Sequence, residues 1–250
     1  MDLSGRVAIV TGAASGIGRA VSSVLAEAGA AGVVIADVDR AGAEETRAQL
    51  EASTQARGWV AEVDVSDPAQ VAAMVATASA EFGRVDILVN NAGICPMASW
   101  DETTLESWNR IIEVNLTGAY LCSKAVLPQM RRQKYGRIVF ISSAGAFMGS
   151  VTGHVAYGAS KAGMLALMKV VAKEFAAEGV LANAIAPGSI DTPITNSFGP
   201  DAKARYAEAA TLKRQGTPRE LADAVLYLVS QRATYVNGAT LHVNGGSLLV

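Results

Sequence analysis

The stretch Thr11-Gly12-Ala13-Ala14-Ser15-Gly16-Ile17-Gly18 constrains the fold of this chain more than any other. It comes after the apolar run Val7-Ala8-Ile9-Val10, which has the length and character of a buried strand. It precedes Ile17, Ala20, Val21, Val24, Leu25 and Ala28, spaced as one face of a helix. The chain therefore runs strand, glycine-rich turn, helix. Glycines let the backbone turn tightly and let a phosphate approach it closely. The start of a helix adds unpaired N–H groups and a partial positive charge, and both favour an anion. The spacing is G-x-x-x-G-x-G rather than G-x-G-x-x-G, and plain strand-to-helix turns use glycines too. The role of the turn therefore depends on the rest of the chain.

Beyond it, strands and helices alternate regularly. Val33-Val34-Ile35-Ala36, residues 58–63, Asp86-Ile87-Leu88-Val89 and residues 137–141, 181–186 and 239–243 read as further strands. Helices are predicted between them at about 40–52, 67–82, 108–134, 157–178 and 217–229. Asp67 with Pro68 and Gln70, and Thr217 with Pro218 and Glu220, form N-terminal capping boxes. Strands alternating with helices imply an α/β fold, a doubly wound parallel sheet of seven strands with helices on both faces. At 250 residues, half of them apolar, the chain suits one domain over 1–250. The span 190–215 mixes small, polar and charged residues around Gly199-Pro200, as a flap over a pocket or a surface helix pair would.

Charge and cysteine usage narrow the function classes. The net charge is −2 and the basic residues are scattered. The densest basic cluster, Arg131-Arg132-Gln133-Lys134, falls at a helix end, where it complements the dipole, so no nucleic-acid partner is expected. Cys95 and Cys122 are too few for a disulfide framework or a zinc site and read as reduced thiols. His154 and His242 lack metal-ligand spacing, so no metal is expected. No apolar run approaches the ~18 residues of a membrane span, and the first residues lead straight into a strand. The expected location is the cytoplasm, with no membrane association.

Polar residues recur at the strand ends. Asp37 lies about 20 residues beyond the glycine turn, where a carboxylate can accept hydrogen bonds from a ribose and repel a 2′-phosphate. Ala14 and Val38, placed to supply a compensating cation, are neutral. Asp37 is also placed to cap the next helix. Asn90-Asn91-Ala92-Gly93 ends another strand and leaves room for a flat ligand, as a plain turn also would. Asn115 interrupts an apolar helical stretch between Val114 and Leu116, and a buried Asn needs partners, bound water being one candidate. Tyr157 and Lys161 stand at i and i+4 on one helix face. An ammonium within ~4–6 Å favours the phenolate, which brings a tyrosine from pH ~10 toward the range useful for proton transfer.

Together these motifs resemble the short-chain dehydrogenase/reductase family, of the single-domain type with about 250 residues and a Rossmann-like fold. The resemblance runs from Thr11–Gly18 through Asp64-Val65, Asn90-Gly93, Asn115, Ser142-Ser143, Tyr157 with Lys161, and Pro187-Gly188 to Thr192. It implies an oxidoreductase that passes a hydride between nicotinamide and the carbon of a secondary alcohol or ketone. Tyr157 would be the acid/base, and Lys161 would hold the nicotinamide ribose and lower the tyrosine pKa. Ser143, rather than Ser142, would bind the substrate oxygen, and Asn115 would hold a water linking Lys161 to solvent. Gly12, Ser15, Gly16, Ile17 and Gly18 would cradle the cofactor's pyrophosphate, and Asp37 its ribose, which favours NAD. Asp64 and Val65 would flank adenine. Asn91, Ala92, Gly93 and Pro187 would line the cofactor, and Ile190 and Thr192 would meet its carboxamide. Ketoacyl-carrier-protein reductases are similar overall, but many carry basic residues where this chain has Ala14, Val38 and Glu178. A catalytically silent dinucleotide sensor is the other reading, and such proteins often lose the tyrosine or lysine that this chain keeps. The resemblance also implies a homotetramer, which would bury the apolar ending Ser247-Leu248-Leu249-Val250.

Overall fold

In the computed structural model, which describes residues 1–149, 155–196 and 198–250, the first strand already shows the layering. β1 (Val7–Thr11) is buried throughout, and its side chains alternate between two cores. Ile9 joins an apolar cluster on one face of the sheet, and Ala8 and Val10 join another on the opposite face. The chain continues through α1 (Gly16–Glu27), β2 (Gly32–Asp37), α2 (Arg40–Ser53), β3 (Arg57–Glu62), α3 (Pro68–Phe82) and β4 (Ile87–Asn90). Next come α4 (Leu105–Ile112), α5 (Gly118–Gln133), β5 (Gly136–Ile141), the short α6 (Gly145–Met148) and α7 (Val155–Phe175). It ends with β6 (Val180–Pro187), α8 (Pro193–Asn196), α9 (Pro200–Ala209), α10 (Pro218–Val229) and β7 (Thr240–Val243).

All seven strands form one parallel sheet in the order β3-β2-β1-β4-β5-β6-β7, a Rossmann-like α/β fold. Val71, Val126 and Met164, from α3, α5 and α7, lie in the cluster with Ile9. Val21, Leu50 and Val225, from α1, α2 and α10, lie in the cluster with Ala8 and Val10. The strand order reverses between β1 and β4, and this switch point opens a crevice at the carboxyl ends of the strands. The glycine turn after β1 and the Asn90-Gly93 segment after β4 border it.

Three expectations need correction. The helix expected at 108–134 starts earlier, at Leu105, where Thr104 and Ser107 close a capping box. Its middle, Glu113–Thr117, is wound as π-type turns. Asn115 sits there, and such a bulge is a common way to aim a side chain off the helical path. Second, β3 and β4 are displaced by one residue from the predicted positions, because their first and last residues carry no periodic signal. Third, Val155–Glu178 is long and apolar enough by length and composition to cross a bilayer. Ala156, Ser160, Met164, Met168 and Val171 are buried in the protein, so its hydropathy is that of a core helix.

Candidate active site

The glycine turn is pressed against the end of β4. Gly12 has a φ of +65°, and a Cβ there would stand 2.8 Å from Ala92 Cα, so only glycine fits. A Cβ on Gly18 would overlap the Gly12 carbonyl oxygen, so this glycine lets α1 close onto the turn. Asn91 fastens the two segments: its Nδ2 donates to the Thr11 and Gly12 carbonyls, each at 2.9 Å. Thr11 Oγ1 accepts from the N–H groups of Asn91 and Ala92, each at 3.1 Å.

The start of α1 differs from that of its neighbours. α2, α3, α4 and α10 are capped by the side chains of Asp39, Asp67, Thr104 and Thr217. Ser15, the N-cap of α1, makes no capping bond. It lines a cleft of about 330 Å³ together with Gly16 and Ile17. The first-turn donors of α1 are therefore open to a ligand that brings its own oxygens. Asp37, also in this cleft, accepts from Ala14 N–H at 2.9 Å and from Asp39 N–H at 3.0 Å. Because Asp39 caps α2, Asp37 is free of that role. Arg19 is close by in the chain, but its guanidinium is spent on the Ala14 carbonyl (2.6 Å) and Glu45 (2.8 Å).

At the far end of the cleft Asp64 and Val65 are joined by Arg110, a residue with no sequence signal. Asp64 accepts from Ser66 N–H and Oγ at 2.9 and 2.6 Å and from Arg110 at 2.9 Å. Burial works against its charge, but the bonds from Ser66 and Arg110 prevail and hold the carboxyl below its ordinary range. An uncapped helix start, a carboxylate at the end of β2 and apolar Val65 and Val114 succeed one another along the cleft. The donor set fits a dinucleotide: pyrophosphate, ribose and a flat base in turn.

A second cavity, of about 210 Å³, meets the first at Ile194. Ser143 and Tyr157 line it and are hydrogen-bonded to each other. Ser142 is turned away: its Oγ donates to the Lys161 carbonyl at 2.8 Å in the interior. Lys161 is 4% exposed. Its Nζ donates to the Ile141 carbonyl at 2.8 Å and lies 5.7 Å from the centre of the Tyr157 ring. Asn115, fully buried, accepts from Ile94 N–H at 2.8 Å and donates to the Ile94 carbonyl at 3.0 Å and to Ser160 Oγ at 3.1 Å. Ser160 Oγ in turn donates to the Tyr157 carbonyl at 2.7 Å. Asn115 thus ties the first turn of α7 to the loop after β4, and the partners a buried Asn requires are protein groups.

Burial sets the electrostatics of this pair. Burial pushes the Tyr157 hydroxyl above its ordinary value, Cys95 adds to the rise, and the bond from Ser143 opposes it. Burial also brings Lys161 down to about 8. Proximity at i and i+4 alone predicts a lowered tyrosine. Here exclusion of water acts against the charged form of both groups, and the ammonium is directed to the Ile141 carbonyl.

The remaining predicted residues divide between the two cavities and the core. Asn91, Ala92, Gly93 and Thr192 line the first cavity. Pro187 lines the second. The Ile190 side chain is buried in the core behind the site, where its backbone bridges to Gly216. The span 190–215 does form a helix pair, α8 and α9, and Ile194, Phe198 and Tyr206 from it line the second cavity. Cys95 also lines it, and sequence reasoning misses it; it lies two residues beyond Gly93, the only signal that could have found it. His242 packs against Phe147 with ring centres 4.7 Å apart and the ring planes tilted by 55°, and His154 lies outside the described residues.

Known proteins share both the sequence and the fold. A family model described as enoyl-(acyl carrier protein) reductase matches residues 12–247. The chain is 40% identical over 250 residues to the 3-oxoacyl-(acyl-carrier-protein) reductase FabG of Escherichia coli (strain K12), covering 100% of both chains. It is 43% identical over 242 residues to the cis-4-hydroxycyclohexanecarboxylate dehydrogenase of Sinomonas cyclohexanicum, covering 96% of each. The crystal structure of gox2181 superposes with a TM-score of 0.93 at 36% identity, over 98% of this chain and 96% of that one.

Proposed function

Because this chain belongs to the short-chain dehydrogenase/reductase family, whose members act on CH–OH groups with a nicotinamide dinucleotide, we propose that it interconverts a secondary alcohol and a ketone with NAD(H). The observation that carries this reading is the hydrogen-bonded pair Ser143–Tyr157, set in a cavity that opens onto the dinucleotide-shaped cleft. Held in the cleft by the start of α1 and Asp37, a nicotinamide dinucleotide would supply or accept the hydride. Ser143 and Tyr157 hold the substrate oxygen between them. In reduction Tyr157 gives its hydroxyl proton to the carbonyl oxygen, and in oxidation it takes the proton of the alcohol. Lys161, cationic below about pH 8, stabilises the phenolate left behind and holds the nicotinamide ribose. Asn115 fixes the loop after β4 against α7, and so keeps the pair in register; holding a water beside Lys161 is a further role we assign to it.

Asp37, with neutral Ala14 and Val38 beside it, supports NAD over NADP by repulsion of a 2′-phosphate. The whole chain then serves as one dinucleotide-binding and catalytic domain, with α8 and α9 as its substrate flap. The free thiols of Cys95 and Cys122 agree with a cytoplasmic location. Exposed Tyr120 and Val170 on α5 and α7, and exposed Leu249 and Val250, support a homotetramer, which light scattering checks against a monomer. The second reading, an NADPH-dependent 3-oxoacyl-(acyl-carrier-protein) reductase, draws on the full-length relatives named for that activity. Against it, Glu178 stands where the resemblance places a carrier-protein arginine, and it pairs with Arg131 at 2.8 Å. Steady-state turnover of a panel of secondary alcohols and ketones with both cofactors, followed by nicotinamide absorbance, separates these readings. NAD-dependent turnover is expected; no turnover with either cofactor would leave a dinucleotide sensor.

A further inference from the structure

We propose that the cavity beside Tyr157 takes a compact, uncharged, largely hydrocarbon ketone or alcohol and rejects one that carries a carboxylate, an assignment resting on the oxidoreductase reading above. Besides Ser143 and Tyr157 the lining is mainly apolar, with Met148, Ile194, Phe198 and Ala209, and its other polar side chains, Ser189, Thr195, Tyr206 and Ser247, bear hydroxyls and no charge. Among the described residues no Asp, Glu, Lys or Arg lines it. Residues 150–154 and 197, which are not described, contain no lysine or arginine. The volume of about 210 Å³ is below the ~300–1,000 Å³ of pockets for drug-sized ligands, so it suits a ring or a short branched chain.

Two cations in the cavity's surroundings, Lys161 and Arg214, are already engaged. Lys161 does not line the cavity, and its Nζ donates to the Ile141 carbonyl. Arg214 lines an adjoining cavity of about 260 Å³, but its two η nitrogens grip both carboxylate oxygens of Glu220 at 2.9 and 2.6 Å. Cys95 is no anion either: burial pushes its thiol up to about 11. A substrate carboxylate entering here would give up part of its hydration and meet no cation among the described lining residues, which is unfavourable. A neutral ketone leaves its hydrocarbon against the apolar wall and places its one polar atom between Ser143 and Tyr157.

A matched set tests this: cyclohexanone, 4-oxocyclohexanecarboxylate and the methyl ester of the latter, which removes the charge and adds only a methyl group. At pH 8, where an ordinary histidine is neutral, both neutral ketones are expected to exceed the carboxylate in kcat/KM by at least about 100-fold. A carboxylate turned over as well as its ester would overturn the proposal. Saturation-transfer NMR on the same three compounds reads binding without turnover. Binding of the neutral pair alone, without turnover, would keep the cavity assignment while the oxidoreductase reading failed. Binding of none of the three would overturn the cavity assignment. Met148→Arg, at a half-exposed position of the cavity wall, is expected to raise carboxylate kcat/KM by at least about tenfold. An unchanged ratio in that variant would also overturn it.

Discussion

β4 is four residues long, and its two ends carry polar groups in opposite states. Asp86, just before the strand, is fully buried and fully engaged. It accepts from Val7 N–H at 3.0 Å, from Arg6 at 3.1 Å, and from two nitrogens of Arg84 at 2.7 Å each. Arg6 and Arg137 then lie over the Tyr135 ring, 3.7 and 4.4 Å from its centre. At the other end, the cleft beyond Asn90 holds an uncapped helix start, and beside it Ser143 and Tyr157 face a cavity. The amino end of the sheet gathers Arg6, Arg84, Arg137 and Asp86, and all of Asp86's charge is taken up there, while the buried Nε of Arg137 alone is left without a partner among the described residues. A functional end is therefore marked less by charge than by hydrogen-bonding capacity left open beside a void.

The contrast makes the largest effect fall on catalysis at one end alone. Tyr157→Phe keeps the ring and removes the transferable proton, so turnover should fall by ~10²–10⁴-fold. Melting temperature and NAD affinity should stay close to those of the parent. A Tyr157→Phe enzyme with near-native turnover would remove the distinction between the two ends and the catalytic assignment with it.

Asp86→Ala should act in the reverse sense. It leaves Arg6 and Arg84 without their anion and the Val7 N–H without an acceptor, at a cost of about 3 kcal/mol in urea unfolding. Activity per folded molecule should be unchanged, because Asp86 touches neither cavity. A loss of kcat larger than the loss of folded protein would show that the two ends are coupled.

Lys161 belongs to the open end and is itself buried there, 4% exposed. Burial holds it at about 8 in the folded chain against 10.5 as the ordinary value. Between those values the unfolded chain binds the extra proton, so stability rises with pH across that window and the penalty is full below it. Relative to Lys161→Met, the parent should gain up to about 3 kcal/mol between pH 7.5 and pH 10.5 in paired urea titrations. A pH-independent difference between the two proteins would mean that the lysine is hydrated. In kinetics, loss of Lys161 should lower turnover and NAD affinity together, since it touches both proton transfer and ribose.

Most of this architecture is legible in the sequence where the signal is local. The turn from β1 to α1, the Asp67 and Thr217 caps and the Tyr157–Lys161 spacing all lie within one or two turns of chain. What escapes is set by residues far apart. Arg110 reaches Asp64 across 46 positions, and Asn115 finds Ile94 across 21. Spacing at i and i+4 gives proximity but not the exclusion of water, which raises the Tyr157 hydroxyl here. Ile190 and Thr192 read alike as neighbours of the cofactor. Thr192 lines the cleft, whereas the Ile190 side chain is buried and its backbone bridges to Gly216, a pairing that cannot be seen from the residues alone.

The smallest effect concerns Asp37, which combines both behaviours. Its carboxylate is partly used by the protein, through Ala14 N–H and Asp39 N–H, and partly open to the cleft. Alanine would remove both functions and loosen the turn, so a drop in NAD affinity in that variant would be ambiguous. Asp37→Asn is the sharper change. Its carbonyl oxygen can still accept one of the backbone N–H groups, but the negative charge is gone. If that charge sets cofactor choice, NADP should gain about tenfold in kcat/KM relative to NAD, the scale of one exposed charge contact of about 1.4 kcal/mol. The gain should shrink as salt is raised, because the cleft is open and Debye screening acts over ~10 Å at 0.1 M. The NAD value itself should fall only a few-fold, because one ribose acceptor remains. An unchanged NAD/NADP ratio in Asp37→Asn would assign Asp37 to the closed class with Asp86, a residue that holds the turn and leaves cofactor choice to other groups.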